Sequence, residues 1–174
     1  MDDWFSRYLG APTRLIKFVP GMTLRSTSIQ KENEVAKEPN FPIMYQDGAP
    51  CLLINQNSII DLNSKLDRNS KVSHRNFRPN ILVEAGNAFD EDNWNEIAFG
   101  EVRFNNVKPC TRCTFTTVIP DKGVKHSNSE PLRTLREYRV NEQLRHLYKD
   151  TPLFGINLVA LNQGKIVLTD EMRL

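Results

Sequence analysis

Apolar positions along this chain change period several times, and each change marks a structural element. Trp4, Phe5 and Tyr8 recur at helical spacing before Gly10 and Pro12, which predicts a short helix over residues 3–9. From Arg14 to Val19, apolar Leu15, Ile16, Phe18 and Val19 surround Lys17, the pattern of a strand. Residues 25–40 are polar, with Lys31-Glu32-Asn33-Glu34 and Lys37-Glu38-Pro39-Asn40, and are expected to form a long exposed loop. Cys51-Leu52-Leu53-Ile54 predicts a short buried strand. The period then shifts: Ile59, Leu62 and Leu66 fall at i, i+3 and i+7, predicting an amphipathic helix over 59–68 with Ser58 and Asp61 as its cap.

Ile81-Leu82-Val83 reads as a third apolar strand, followed by an acidic turn at Asp90-Glu91-Asp92. Glu101 to Phe104 alternates polar and apolar, and Thr114 to Ile119 is dense in β-branched residues, so both are expected to be strands. Pro131 opens a second helix, with Leu132, Leu135 and Tyr138 on one face, and Leu144 to Lys149 is expected to be a packing helix. The run 157–168, broken by Asn162-Gln163-Gly164, predicts a hairpin. More strand than helix, in mostly antiparallel order, predicts a mainly β fold: a single β-barrel-like domain with a few helices packed outside.

Composition fits that picture. At 39% hydrophobic and 25% charged, the 174-residue chain has the make-up of a soluble globular protein. A domain of this size buries roughly 70% of its extended surface and needs no disulfide to fold. The longest apolar runs, such as Leu158 to Leu161, fall far short of the ~20 residues of a membrane helix. A net charge of +2 is too balanced for a nucleic-acid binder. Three cysteines, an odd number, suit a reducing compartment. Met1-Asp2-Asp3 is acidic where a secretory signal is basic, so an intracellular place is expected, the cytoplasm if the source is bacterial.

Charge is distributed unevenly. Residues 84–104 hold six acids against Arg103 alone, whereas 106–150 hold nine Lys or Arg against five acids, a local +4. Such a split describes either solvated faces or a pocket for an anionic ligand. Inside the basic half lies Lys108-Pro109-Cys110-Thr111-Arg112-Cys113. A Cys-x-x-Cys pair can serve structural zinc, but no second close pair completes four ligands. It can serve thioredoxin-like redox chemistry, but that motif opens a helix, and strand formers follow here. Alternatively, one cysteine is a soft-metal ligand or nucleophile and the other is packing. Strand parity places Cys113 with Phe115, Thr117 and Ile119 as a core residue and leaves Cys110 to face a pocket, where Lys108 and Arg112 favour its thiolate. A second constellation, Asn76-Phe77-Arg78-Pro79-Asn80, is either a polar strand entry or a binding loop. His74, His126 and His146 are read as surface residues without a catalytic role.

In combination, the Phe-Arg-Pro-Asn and Cys-x-Arg-Cys-x-x-Thr-Thr segments resemble the MOSC domain, the C-terminal module of molybdenum-cofactor sulfurases. The resemblance is greatest to the branch of the mitochondrial amidoxime-reducing components and their bacterial relatives. It extends over the whole chain, through Ser58-Ile59-Ile60-Asp61-Leu62-Asn63, Glu91-Asp92-Asn93-Trp94, Glu130-Pro131-Leu132 and Pro152-Leu153-Phe154-Gly155. What it implies is a MOSC-type β-barrel over residues 1–174 as a single domain, without the additional N-terminal β domain of that branch. It implies a molybdenum–pterin cofactor with Cys110 as thiolate ligand and catalytic residue, and Arg78, Asn80, Thr111 and Arg112 lining the cofactor pocket. It further implies a small N-hydroxylated substrate and an external haem or iron–sulfur electron donor. The alternative is a non-catalytic sulfur-carrier or cofactor-delivery domain.

Overall fold

The structure, a computed structural model, describes residues 1–26, 42–46 and 48–174. Strands β1 (Arg25–Ser26) and β2 (Pro42–Ile43) form a small antiparallel pair. The rest of the expected polar loop, 27–40, lies outside the described residues. Helix α1 (Asp2–Leu9) forms as expected and ends on Gly10 in the left-handed conformation (φ 67°). The strand expected over 14–19 is absent: these residues have no regular structure, and Leu15, Ile16 and Val19 are exposed. Alternation alone does not make a strand where no sheet edge pairs with it.

The body of the fold is a curled six-stranded half-barrel, so the mainly β expectation with few helices holds. In chain order its strands are β3 (Cys51–Asn55), β4 (Ile81–Val83), β5 (Glu96–Phe99), β6 (Val102–Thr111), β9 (Leu153–Ala160) and β10 (Met172–Arg173). They are ordered β10-β5-β6-β9-β3-β4, antiparallel except for β3 beside β4. That parallel pair requires a crossover, which helix α2 (Gln56–Lys65) supplies. The helix starts three residues before its expected beginning because Asn55, not Ser58, caps it by accepting from the Asn57 amide. Asn55 is fully buried and also donates to the Ala85 and Asn87 carbonyls, fastening the end of β3 to the segment after β4.

Two apolar clusters cover opposite faces of the sheet. Leu53, Ile97, Phe104, Ile156 and Leu158 fill one; Ile54, Ile59, Leu62, Phe77, Leu135 and Phe154 fill the other. Phe154 and Ile156 have the same parity yet lie in different clusters. The cause is an irregularity at Gly155 (φ 78°), where β9 holds one more residue than β6 between the pairs Pro109–Ile156 and Thr111–Leu153. A Cβ at Gly155 would stand 2.7 Å from both Ile54 Cγ1 and the Leu53 carbonyl oxygen, so only glycine fits there.

Other departures have local causes. Thr114–Thr117 is a 3₁₀ helix rather than a strand, followed by the short hairpin of β7 (Val118–Ile119) and β8 (Val124–Lys125). The Thr116 and Thr117 hydroxyls donate to the Cys113 and Thr114 carbonyls at 2.9 and 2.7 Å, local bonds that compete with an extended ladder. The hairpin expected over 157–168 stops after its first strand. The Asn162 side chain donates to the Glu101 carbonyl and accepts from the Arg103 amide, and Lys165–Leu168 forms no strand. Helices α3 (His74–Phe77), α4 (Leu132–Tyr138) and α5 (Arg145–Tyr148) complete the fold. The acidic turn is a 3₁₀ helix over Asp90–Asn93 whose Glu91 is fully buried. Among the described residues, no helix is long and apolar enough to cross a membrane.

Candidate functional site

Two segments distant in sequence meet beside the end of β6. One is the exit of α3, residues 77–80; the other runs from Cys110 to Phe115. Helix α3 is held by a reciprocal cap, in which the Ser73 hydroxyl accepts from the Arg75 amide and Asn76 Oδ1 accepts from the Ser73 amide. Arg78 closes the helix in the left-handed region (φ 58°), its amide donating to the His74 carbonyl at 2.8 Å. Asn80 then clips the chain to β3: its amide donates to the Leu52 carbonyl and its Oδ1 accepts from the Leu52 amide, both at 2.9 Å.

Cys110 is half-buried and has no partner in the β6–β9 ladder. It faces the extra residue of β9, and Pro109 before it has no N–H to donate. Arg112 folds back beneath it. Although charged, Arg112 is only 8% exposed; it donates to Cys110 Sγ at 3.0 Å and to the Phe77 carbonyl at 2.9 Å. Its guanidinium lies 5.2 Å from the centre of the Phe77 ring, which itself stacks on Phe154 at 4.5 Å. Its Nε is buried and has no hydrogen-bond partner among the described residues. A guanidinium held against a sulfur in partly dry surroundings aims a charge-assisted hydrogen bond at it and fixes its orientation.

The outer layer repeats the pairing with roles exchanged. Arg78 is exposed, and its guanidinium lies 5.4 Å from the centre of the Phe115 ring. Thr111 is exposed at the rim. Cys113 departs from expectation: it is exposed, not part of the core, because the chain turns into the 3₁₀ helix immediately after it and strand parity ceases to apply. Cys51, on β3, is half-buried, and burial pushes its thiol pKa up, which disfavours the reactive anion.

Cys110 and Arg112 are therefore in direct contact. Arg78 joins them through the neighbouring Phe77, Asn80 anchors the loop, and Thr111 lies between. Sequence reasoning missed Phe77 and Phe115, the aromatic platforms beneath the two arginines. Each lies inside a segment already singled out, and an aromatic within a basic motif was the available signal. Among the described residues, no cluster of three or more His, Cys, Asp or Glu side chains could hold a metal, so any metal here would have a sparse protein ligand set.

A family model for the MOSC domain matches residues 40–173. Over 99% of its length this chain is 39% identical to the human (Homo sapiens) mitochondrial amidoxime-reducing component 1, covering 50% of that protein. It is 37% identical over 98% of its length to component 2 of Bos taurus, covering 49% of it, and 40% identical over 89% to component 1 of Danio rerio, covering 46%. The chain thus spans about half the length of these curated relatives. A family match running from β2 to β10, joined to relatives aligned across nearly all of the sequence, establishes that this chain belongs to the MOSC domain family.

Proposed function

We propose that residues 1–174 act as one MOSC domain, the metal-ligating part of an oxidoreductase for N-hydroxylated compounds. In this role Cys110 is the protein ligand to molybdenum carried on a pterin, with electrons from an external haem or iron–sulfur protein. The relatives' designation as amidoxime-reducing supports the substrate class. One observation carries the assignment to Cys110: a half-buried thiol receiving a 3.0 Å hydrogen bond from a guanidinium whose Nε is buried without a partner among the described residues. That donor set fits a soft metal bound through an anionic sulfur, with positive charge available to an oxyanion nearby.

When bound, the molybdenum would supply the two-electron chemistry that cleaves an N–O bond. The chain's own residues do the rest. Arg112 donates to the sulfur and fixes its direction, because its other hydrogen bond, to the Phe77 carbonyl, anchors the guanidinium. Arg78 offers a phosphate-binding guanidinium at the surface. Asn80 has committed its carbonyl oxygen to β3 and leaves its Nδ2 donor for a ligand, with the Thr111 hydroxyl beside the metal ligand as a further rim donor.

Molybdenum content of protein produced with the cofactor available tests this. Near-stoichiometric metal is expected in the wild type and in Cys113→Ala, with loss in Cys110→Ala. Equal loss in both variants would refute the assignment. Metal retained without reduction of an N-hydroxylated substrate, given an electron donor, would point instead to the sulfur-carrier or cofactor-delivery role.

A further inference from the structure

The two site segments cross in a reciprocal manner. The first contributes an aromatic and then an arginine, Phe77-Arg78; the second contributes an arginine and then an aromatic, Arg112 and Phe115. The inner stack, Arg112 on Phe77, is buried, and its guanidinium already serves two acceptors. The outer stack, Arg78 on Phe115, is different in kind. Among the described residues the Arg78 guanidinium makes no hydrogen bond and no ion pair; its one close partner is the Phe115 ring. Phe115 is 56% exposed, so it does little for the core. Its backbone is nevertheless fixed, because it lies in the 3₁₀ turn that the Thr116 and Thr117 hydroxyls close.

The root of Arg78 is equally well fixed. Its amide caps α3, and two residues later Asn80 makes two hydrogen bonds to Leu52. The residue occupies left-handed backbone, where glycine carries no steric penalty and arginine does, so this side chain is retained at a conformational cost. With the root held by the backbone, the flexible part is the arginine stem. An aromatic face beneath a guanidinium limits that freedom while leaving the N–H edges open to an oxyanion, which a carboxylate partner would not.

From this we infer that Phe115 is the positioning residue for Arg78: it holds the guanidinium as a pre-ordered, unsatisfied receptor for a phosphate group. The inference rests on the molybdenum–pterin reading above only for which phosphate Arg78 receives. Stacking at an exposed site changes affinity by about two- to five-fold.

The experiment uses ¹⁵N-labelled chain titrated with inorganic phosphate, following the amides of residues 77–80 and the Arg78 Nε–Hε resonance. The wild type should show a saturable shift. Phe115→Ala should weaken phosphate about two- to five-fold and lower the Nε–Hε order parameter of Arg78, while Phe115→Tyr should restore both. Arg78→Gln should abolish the response at residues 77–80. A Phe115→Ala variant with wild-type affinity, or a Phe115→Tyr variant as weak as Phe115→Ala, overturns the positioning role. That outcome leaves Arg78 and Cys110 untouched, since molybdenum stoichiometry is read separately. No shift in the wild type overturns both the receptor role of Arg78 and the part given to Phe115.

Discussion

Replacing Arg112 with Met is the most direct test of how the site is held. Methionine preserves much of the stem's volume and apolar contact but removes every donor. Its loss strands the Phe77 carbonyl, which accepts the 2.9 Å bond at a residue only 2% exposed. An unsatisfied buried acceptor costs about 1–3 kcal/mol, and loss of a largely desolvated guanidinium–aromatic stack adds about 1–2 kcal/mol. Relief of the buried, unpartnered Nε offsets part of this, leaving a net loss of about 2–4 kcal/mol. For a domain of this length that lowers Tm by roughly 5–15 °C. Thermal unfolding measures the first effect. A second assay, the rate of iodoacetamide reaction at Cys110 in the folded state, measures the donor to sulfur: the rate should fall in Arg112→Met at fixed pH. Arg112→Lys should recover some of the alkylation rate but little of the stability, because one ammonium cannot serve the sulfur, the carbonyl and the ring together. Wild-type Tm and an unchanged alkylation rate in Arg112→Met would refute the reasoning.

Two further predictions follow from the packing. Gly155→Ala should destabilise the protein by about 2–4 kcal/mol in urea unfolding, because the new methyl meets Ile54 and the Leu53 carbonyl at 2.7 Å on left-handed backbone; a loss below about 1 kcal/mol would contradict this. Burial pushes the Glu91 pKa above its usual 4.5, partly opposed by the 2.6 Å hydrogen bond from Ser58, so the folded state holds that proton more tightly than the unfolded chain. Its contribution to stability is therefore present below pH 4.5 and lost as pH rises through the raised value. Glu91→Gln removes that titration, so its urea midpoint should gain on the wild type from pH 4.5 upward; a constant difference between the two across that range would refute it.

The elements that the sequence made legible are those whose apolar residues were dense and whose period was clear. Leu53-Ile54, Ile81-Leu82-Val83 and the Ile59-Leu62 face all appear where the pattern places them. Failures occurred where side chains bond to nearby backbone instead of packing. Thr116 and Thr117 have strand propensity, yet their hydroxyls close a 3₁₀ turn, and that turn carried Cys113 to the surface. Asn162 diverted the last predicted hairpin in a different way, by bonding the backbone of Glu101 and Arg103, some sixty residues away in sequence. At the site, motif spacing brought Cys110, Arg112 and Arg78 into view. The inward fold of Arg112 could not be read, because charged side chains are ordinarily exposed and the Phe77 carbonyl that anchors this one comes from a distant segment. Glu91 escaped notice for the same reason: within an acidic run it reads as solvated, but Ser58, thirty-three residues away, draws it into the core.

The irregular stretch of the β6–β9 ladder has one more consequence. From Val107 to Cys110 the strand passes two register shifts and a proline, while the Arg112 amide re-engages the Pro152 carbonyl at 2.9 Å just beyond. This four-residue span can breathe without melting what flanks it, so its amides should exchange with solvent faster than those of Phe104 or Leu158 in the same sheet. Whatever captures the sulfur of Cys110 would quench that breathing, and occupancy would register as slowed exchange along this stretch of β6 before any change in the fold.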